Sequence, residues 1–244
     1  MIRKNRLKFA HIHARNVNLI HMLEKSLSYL ALLKENNYRE WYHENKFIYE
    51  EAKKEFETFV LSLIKEVKMI DNEVGYPEPK DCIFRIFRDI RFSPDKTPYK
   101  THFGVFIAKG GNRKSEYGGY YFHLEPGNAL LAGGIWQPQP DILKAVREEI
   151  YHNVDEFLAI LSDKEFKKQL GNLNQEYVLK TSPKDYPKDW PHIELLKYKS
   201  FTVSKAVPDD LLHSPKLMDE ISAVFKAIMP VNKFLNKVIE DLRG

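Results

Sequence analysis

The spacing of apolar residues changes period twice along the chain. From 23 to 70 they return every three or four residues. Between 82 and 136 they form short runs or alternate, and from 140 onward the helical spacing resumes. Leu23, Leu27, Leu30 and Leu33 mark one face of an amphipathic helix over 23–35, which Asn36-Asn37 ends. Asn37 with Glu40 has the form of a capping box for a helix running to about Ile70, with a break near Asn45. Its buried stripe is Tyr42, Tyr49, Ala52, Phe56, Phe59, Leu63, Val67 and Ile70.

The period of two begins after the Gly- and Pro-containing loop 71–80. The runs 82–88 (CIFRIFR), 103–108 (FGVFIA), 117–125 (YGGYYFHLE) and 129–136 (ALLAGGIW) read as strands. Gly110-Gly111-Asn112 and Pro126-Gly127-Asn128 supply turns, so three consecutive strands form an antiparallel meander and 82–88 brings the sheet to at least four. Pro138 and Pro140 end the sheet, and helical spacing follows over 141–152 and about 154–161. Ser162 and Glu165 predict a capped helix over 163–170, closed by Gly171. An edge strand at 177–181, a loop at 182–192, a short helix at 192–197 and a strand at 200–204 come next. Two helices, about 209–229 and 231–242, are divided at Pro230. Helices, then contiguous strands, then helices predict an α+β fold: N-terminal helices, a central mainly antiparallel sheet with a meander, and C-terminal helices, with 22–244 as one domain.

Charge sharpens this picture. The formal net charge is +4, but residues 1–21 contain Arg3, Lys4, Arg6, Lys8 and Arg15 and no acid, so the remainder is −1. Residues 1–21 read as an extension outside the fold, with Met22 as a natural start; a basic, acid-free segment of this kind also has the look of an organelle-targeting sequence. A nearly neutral body argues against nucleic-acid binding. No apolar run reaches the ~18 residues of a membrane span. The single cysteine, Cys82, excludes an internal disulfide and a cysteine zinc site and fits a reducing, cytoplasmic setting.

Candidate chemistry concentrates in 85–103. Arg85, Arg88, Arg91, Lys96, Lys100 and His102 surround a loop stiffened by Pro94 and Pro98, with Tyr99 among them. Fork-shaped guanidinium donors suit a phosphate or carboxylate. The competing reading is an ion network, because Asp89 and Asp95 lie within the same stretch and a buried arginine needs a partner. Tyr121, His123 and Glu125 alternate onto one face of their strand, opposite Tyr120, Phe122 and Leu124. With His102 at the start of the neighbouring strand, His123 and Glu125 make a two-histidine, one-carboxylate set; the plainer reading is a half-exposed polar strand face. Gly133-Gly134 beside Gly118-Gly119 mark close backbone approach, or a platform covered by Trp136. His43 reads as a helix-surface residue. A phosphate-binding Walker loop, a dinucleotide GxGxxG, a GxSxG elbow and the kinase motifs are all absent.

Four segments carry a resemblance: NNYREWYHENKFIYEEAKKEFE (36–57), FRIFRDIRFSPDKTPYKTHFG (84–104), GGYYFHLEPGNALLAGGIWQP (118–138) and PKDYPKDWPHIELLKYKSF (183–201). In this order they resemble the domain of unknown function 2461 family, most of all in the core RDxRFSxDKxPYKxH at 88–102. That core places Arg88, Asp89, Arg91, Phe92, Asp95, Lys96, Pro98, Tyr99 and Lys100 in the shared pattern. The resemblance implies no activity, cofactor or catalytic residue that transfers to this chain. The residues themselves support a small anionic ligand at 85–102, with Tyr121, His123 and Glu125 contributing. The alternatives are a metal-dependent hydrolase using His102, His123 and Glu125, and a non-enzymatic interaction module presenting the aromatics of 182–192.

Overall fold

The computed structural model describes residues 22–244, so the expected N-terminal extension lies outside the described residues. Helices α1 (Glu24–Glu35), α2 (Arg39–Glu44) and α3 (Lys46–Ile70) come first. A 3₁₀ turn (Asn72–Val74) and a short helix α4 (Pro79–Cys82) lead to strands β1 (Phe103–Ala108), β2 (Gly119–Leu124) and β3 (Ala129–Ile135). Helices α5 (Pro140–His152), α6 (Val154–Ser162), α7 (Lys164–Gln169) and α8 (Ile193–Leu196) precede β4 (Phe201–Val207). Helices α9 (Asp209–Leu212) and α10 (Leu217–Arg243) close the chain. The sheet has the order β1-β2-β3-β4, with every neighbour antiparallel. The fold is α+β, as the pattern predicts.

One face of the sheet is core. Val105, Ile107, Tyr120, Phe122, Leu124, Leu131 and Val203 are buried there, under α3 and α10. Phe59 of α3 meets Phe122 at 5.1 Å between ring centroids, and Phe225 of α10 meets Tyr120 at the same distance. The expected stripe of α3 is buried at Ala52, Phe56, Phe59, Leu63 and Val67. Helix α1 packs on α3, where Glu55 accepts from the Ser26 backbone N–H (2.8 Å) and hydroxyl (2.7 Å) and so satisfies the first turn of α1.

Asn232 and Asn236 interrupt the apolar stripe of α10, and both are buried. Asn232 accepts from Gly134 N–H and donates to the Gly119 carbonyl, each at 3.0 Å. Asn236 accepts from Gly118 N–H at 2.7 Å and donates to the Gly118 carbonyl at 3.2 Å. Gly118 and Gly133 make room for this approach, while Gly119 and Gly134 let the neighbouring strands close in beside them. A Cβ at Gly133 would lie 2.3 Å from Ile228, and Gly134, at φ +102, would bring one to 2.0 Å from the Phe201 carbonyl oxygen. Tight packing is therefore the reason for both glycine pairs, which stand opposite one another through Gly119↔Gly134 and Tyr120↔Gly133. Trp136 is 62% exposed and sits edge-on to Tyr177 at 6.3 Å.

Several expectations are corrected. The segment 82–88 is not a strand of the sheet. Its first residue closes α4, and only the bridge Ile83↔Val105 and the bond from Phe84 N–H to the Gly104 carbonyl (2.9 Å) join it to β1. It then turns away to pair with its own loop, Arg88 N–H donating to Pro98 and Lys100 N–H to Ile86. The fourth strand is β4. Pro230 does not divide the last helix: α10 runs through it, and the residue whose carbonyl loses its partner, Lys226, is exposed. The break falls instead at 213–216, where Pro215 stands. Asp163, not Ser162, caps α7, its carboxylate accepting from Glu165 and Phe166 N–H at 2.9 Å each. The run 177–181 makes only the bridge Val178↔Tyr198. Tyr186 and Trp190 are half-buried and pack onto Tyr151, at 5.3 and 5.0 Å.

Replacing Asn232 by Ala leaves a buried N–H and a buried carbonyl unpaired, which costs roughly 2–5 kcal/mol. Urea denaturation of Asn232→Ala is expected to show a loss of that order. A change below ~1 kcal/mol would mean that the amide contributes little to docking the helix.

Candidate functional site

The face of the sheet away from α3 and α10 is only half-covered. Strand alternation places Phe106, Tyr121, Leu130, Ala132, Thr202 and Ser204 there, all partly exposed. The register Gly104↔His123 and Phe103↔Leu124 carries His102 to the same edge as Glu125. The two imidazoles lie face to face with centroids 4.2 Å apart, tilted by 30°. One His123 ring nitrogen, Nδ1, lies 3.0 Å from the Tyr121 hydroxyl, and the other, Nε2, 3.2 Å from Glu125 Oε2. Glu125 is itself held: Thr101 donates to Oε1 at 2.7 Å and Asn128 to Oε2 at 2.9 Å. Ligand atoms of His102, His123 and Glu125 all lie within 4.8 Å of one another. Gly104 is part of this construction, since a Cβ there would meet the Tyr121 hydroxyl at 2.8 Å. Phe84 completes the floor, edge-on to Tyr121 at 6.2 Å.

Position along the loop is fixed by the helices. Asn37 is not a helix cap. Its amide clamps the backbone of Tyr99, accepting from the N–H at 3.1 Å and donating to the carbonyl at 2.9 Å. The Tyr99 ring is buried and stacks on Tyr42 of α2 at 4.4 Å. Tyr99 therefore anchors the loop, and Lys100 and His102 leave from that fixed point.

The six basic groups of 85–102 divide into two kinds. Arg91 forks onto Asp89 through Nε (2.9 Å) and Nη2 (2.7 Å). Arg88 is paired with Asp95 and also donates to Thr97 at 2.7 Å. Lys96 donates to the Ile90 carbonyl at 3.0 Å. The loop thus neutralises two of its own cations and ties down a third through a backbone carbonyl, and its carboxyls respond. Asp89 is lowered to about 2 by Arg91, and Asp95 to about 2 by the Thr97 backbone and hydroxyl together with Arg88. Arg91 and Asp89 are exposed, so their pair adds little stability.

The side chains of Arg85 and Lys100 make neither an ion pair nor a hydrogen bond with the described residues. Arg85 is exposed. Lys100 is partly buried, with Nζ 5.5 Å from the centre of the Phe84 ring. Burial lowers its pKa, and the charges of Arg85 and Arg88 lower it further. His102 is lowered to about 4, first by burial and then by His123 and Lys100, and is therefore a neutral imidazole at pH 7. Burial pushes the Glu125 carboxyl up, but its bonds from Thr101, Asn128 and His123 outweigh that and leave it lowered. Tyr121 is raised to about 12 by burial and by Glu125.

The structure therefore brings Lys100, His102, Tyr121, His123 and Glu125 together with Arg85 beside them. Arg88, Arg91, Lys96 and Tyr99 hold the loop. Sequence reasoning passed over Thr101 and Asn128, which orient Glu125, although one adjoins His102 and the other ends the Pro-Gly-Asn turn. It also passed over a pocket of about 430 Å³ on the other side of Tyr99, where Arg39, His43 and Lys46 face Arg88, Phe87 and Ile90.

Residues 25–234 match the family described as "Conserved hypothetical protein (DUF2461)". The chain belongs to this family. The matched region contains the whole sheet and every candidate residue named above. No curated protein and no solved structure matches the chain. Membership in DUF2461 accords with the resemblance carried by the core at 88–102, and the geometry around that core is what bears on function. Among the described residues no helix is long and apolar enough to cross a membrane.

A Gly104→Ala substitution sets a Cβ against Tyr121 and is expected to cost about 1–3 kcal/mol by overpacking. In a Tyr121→Phe background the hydroxyl is gone and most of that penalty should vanish. A double-mutant cycle by chemical denaturation measures this, with an expected coupling of about 1 kcal/mol. Additive losses would show that Gly104 is not there to admit the hydroxyl.

Proposed function

We propose that this protein binds a small anionic ligand, bearing a phosphate or a carboxylate, on the open sheet face between Arg85, Lys100 and the His102–Tyr121–His123 group. The observation that carries the reading is the division of the cations. Arg88 and Arg91 are spent on carboxylates within the loop and Lys96 is tied to a backbone carbonyl, while among the described residues Arg85 and Lys100 make no ion pair and stand at the edge of a polar cluster. A partly buried ammonium in a repulsive field is relieved by an anion, which restores the charge balance that burial removes. Lys100 and Arg85 would neutralise the anion, with the neutral His102 imidazole as a further donor. The clamp of Asn37 on Tyr99 supports a preorganised site, since Lys100 needs little ordering on binding. A nearly neutral body favours a small ligand over a nucleic acid, and the buried lone Cys82 fits a cytoplasmic setting.

Isothermal titration of the full chain with methylphosphonate and with acetate tests the reading. At least one of the two should bind. Arg85→Ala with Lys100→Ala should weaken that binding by about 10–100-fold, the size of one or two lost charge-assisted bonds. Arg91→Ala should leave it within about twofold, because its guanidinium is already committed to Asp89. Failure of both probes to bind the parent chain, or equal affinity in the double variant, would remove the proposal.

A further inference from the structure

We propose that His102, His123 and Glu125 form a binding site for a divalent transition-metal ion of the zinc type, set beside the anion-binding cations. The site stands on its own geometry, and its coupling to an anion rests on the reading above. Imidazole and carboxylate are the ligands such ions take when no thiolate is offered, and a two-histidine, one-carboxylate set leaves a position open.

Three observations carry it. The first is distance. Two ligands on one tetrahedral ion with bonds of about 2.0–2.1 Å lie about 3.3 Å apart. His123 Nε2 and Glu125 Oε2 stand 3.2 Å apart. One ligand atom from each of the three residues lies within 4.8 Å of those of the other two, so drawing them to that spacing needs at most about 1.5 Å of side-chain movement.

The second is the support around the ligands. Thr101 and Asn128 each donate to Glu125, as the partners of a ligating carboxylate do. Tyr121 lies on Nδ1 of His123. A metal on Nε2 requires the ring proton on Nδ1, and the Tyr121 hydroxyl can accept it as readily as it donates to a bare nitrogen. Either tautomer of His123 is therefore satisfied, and loading the site frees the Tyr121 O–H to donate to an anion beside the metal.

The third is His102 itself. Its ring rests on His123, and neither nitrogen makes a hydrogen bond with the described residues, whereas Tyr121, His123 and Glu125 are all hydrogen-bonded. An imidazole held partly buried without a partner is free to ligate.

The surroundings say how the site would be used. Glu125 is the only carboxylate in the ligand set, and Lys100 is close enough to act on His102 electrostatically. A divalent ion there would remain strongly positive overall. It would be bound best together with an anion that reaches both the metal and Lys100. Metal and anion should accordingly tighten one another, by the same factor in each direction, of about 5–150-fold.

The test uses chelator-treated full chain titrated with zinc in a non-coordinating buffer, with and without methylphosphonate. Cobalt(II) is added in a parallel series to read the ligand field by absorption. One ion per chain is expected. His123→Gln and Glu125→Gln should abolish binding while far-UV circular dichroism and urea midpoint show a folded chain. Tyr121→Phe should weaken it by about 10–100-fold, and His213→Gln, on the exposed surface, should leave it unchanged. No zinc bound under either condition, or binding undiminished in both ligand variants, overturns the metal site. Methylphosphonate bound by the metal-free chain in that case still supports the anion reading. Zinc bound with no anion taken up, with or without the metal, overturns the anion reading and the coupling but supports the metal site.

Discussion

Two side-chain amides hold the last helix to the backbone of the sheet, and the remaining architecture follows from that contact. Asn232 and Asn236 are buried in an apolar stripe, where an unpaired amide is costly. Their partners are backbone groups of Gly118, Gly119 and Gly134, and the helix comes close enough to reach them because Gly118 and Gly133 present no side chain to it. The match fixes where α10 crosses the sheet and commits that face to the core. The opposite face is left without a helix, and polar side chains of β2 can stand there.

On that open face the candidate site depends on register. His123 is opposite Gly104, so the next residue along that face, two positions back, is His102, beside Glu125. A slip of one residue would send Tyr121, His123 and Glu125 into the core and turn Tyr120 and Phe122 outward. The cost of burying those three polar groups keeps the strand in its frame. The loop before β1 is fixed from the other side by Asn37 and by the stack of Tyr42 on Tyr99. Helices and sheet thus meet at Lys100 from two directions.

Much of this was legible in the sequence. A period of two put Tyr121, His123 and Glu125 on one face, and short turns forced the antiparallel order that brings His102 to them. The glycine pairs announced close approach, though not the asparagines that require it, because those lie about a hundred residues away. The segment 82–88 has strand-like composition, but pairing with its own loop competed successfully with the sheet, and composition does not report such competition. Pro230 looked like a divider. Its missing N–H is harmless where the facing residue is exposed. Least legible was which arginines would be spent on Asp89 and Asp95. Spacing alone does not set that; it depends on how the loop folds over itself.

The clasp and the site are built from different kinds of group. Carboxamides and backbone amides neither gain nor lose protons in the ordinary pH range. The cluster on the open face consists instead of ionisable groups: imidazoles, an ammonium, a phenol and a carboxylate. Acidity that recharges the outer surface of β2 therefore finds nothing to titrate in the amide clasp. Chemistry on one side of the sheet is insulated from the attachment of α10 on the other, and the exposed face can change its charge while that helix stays in place.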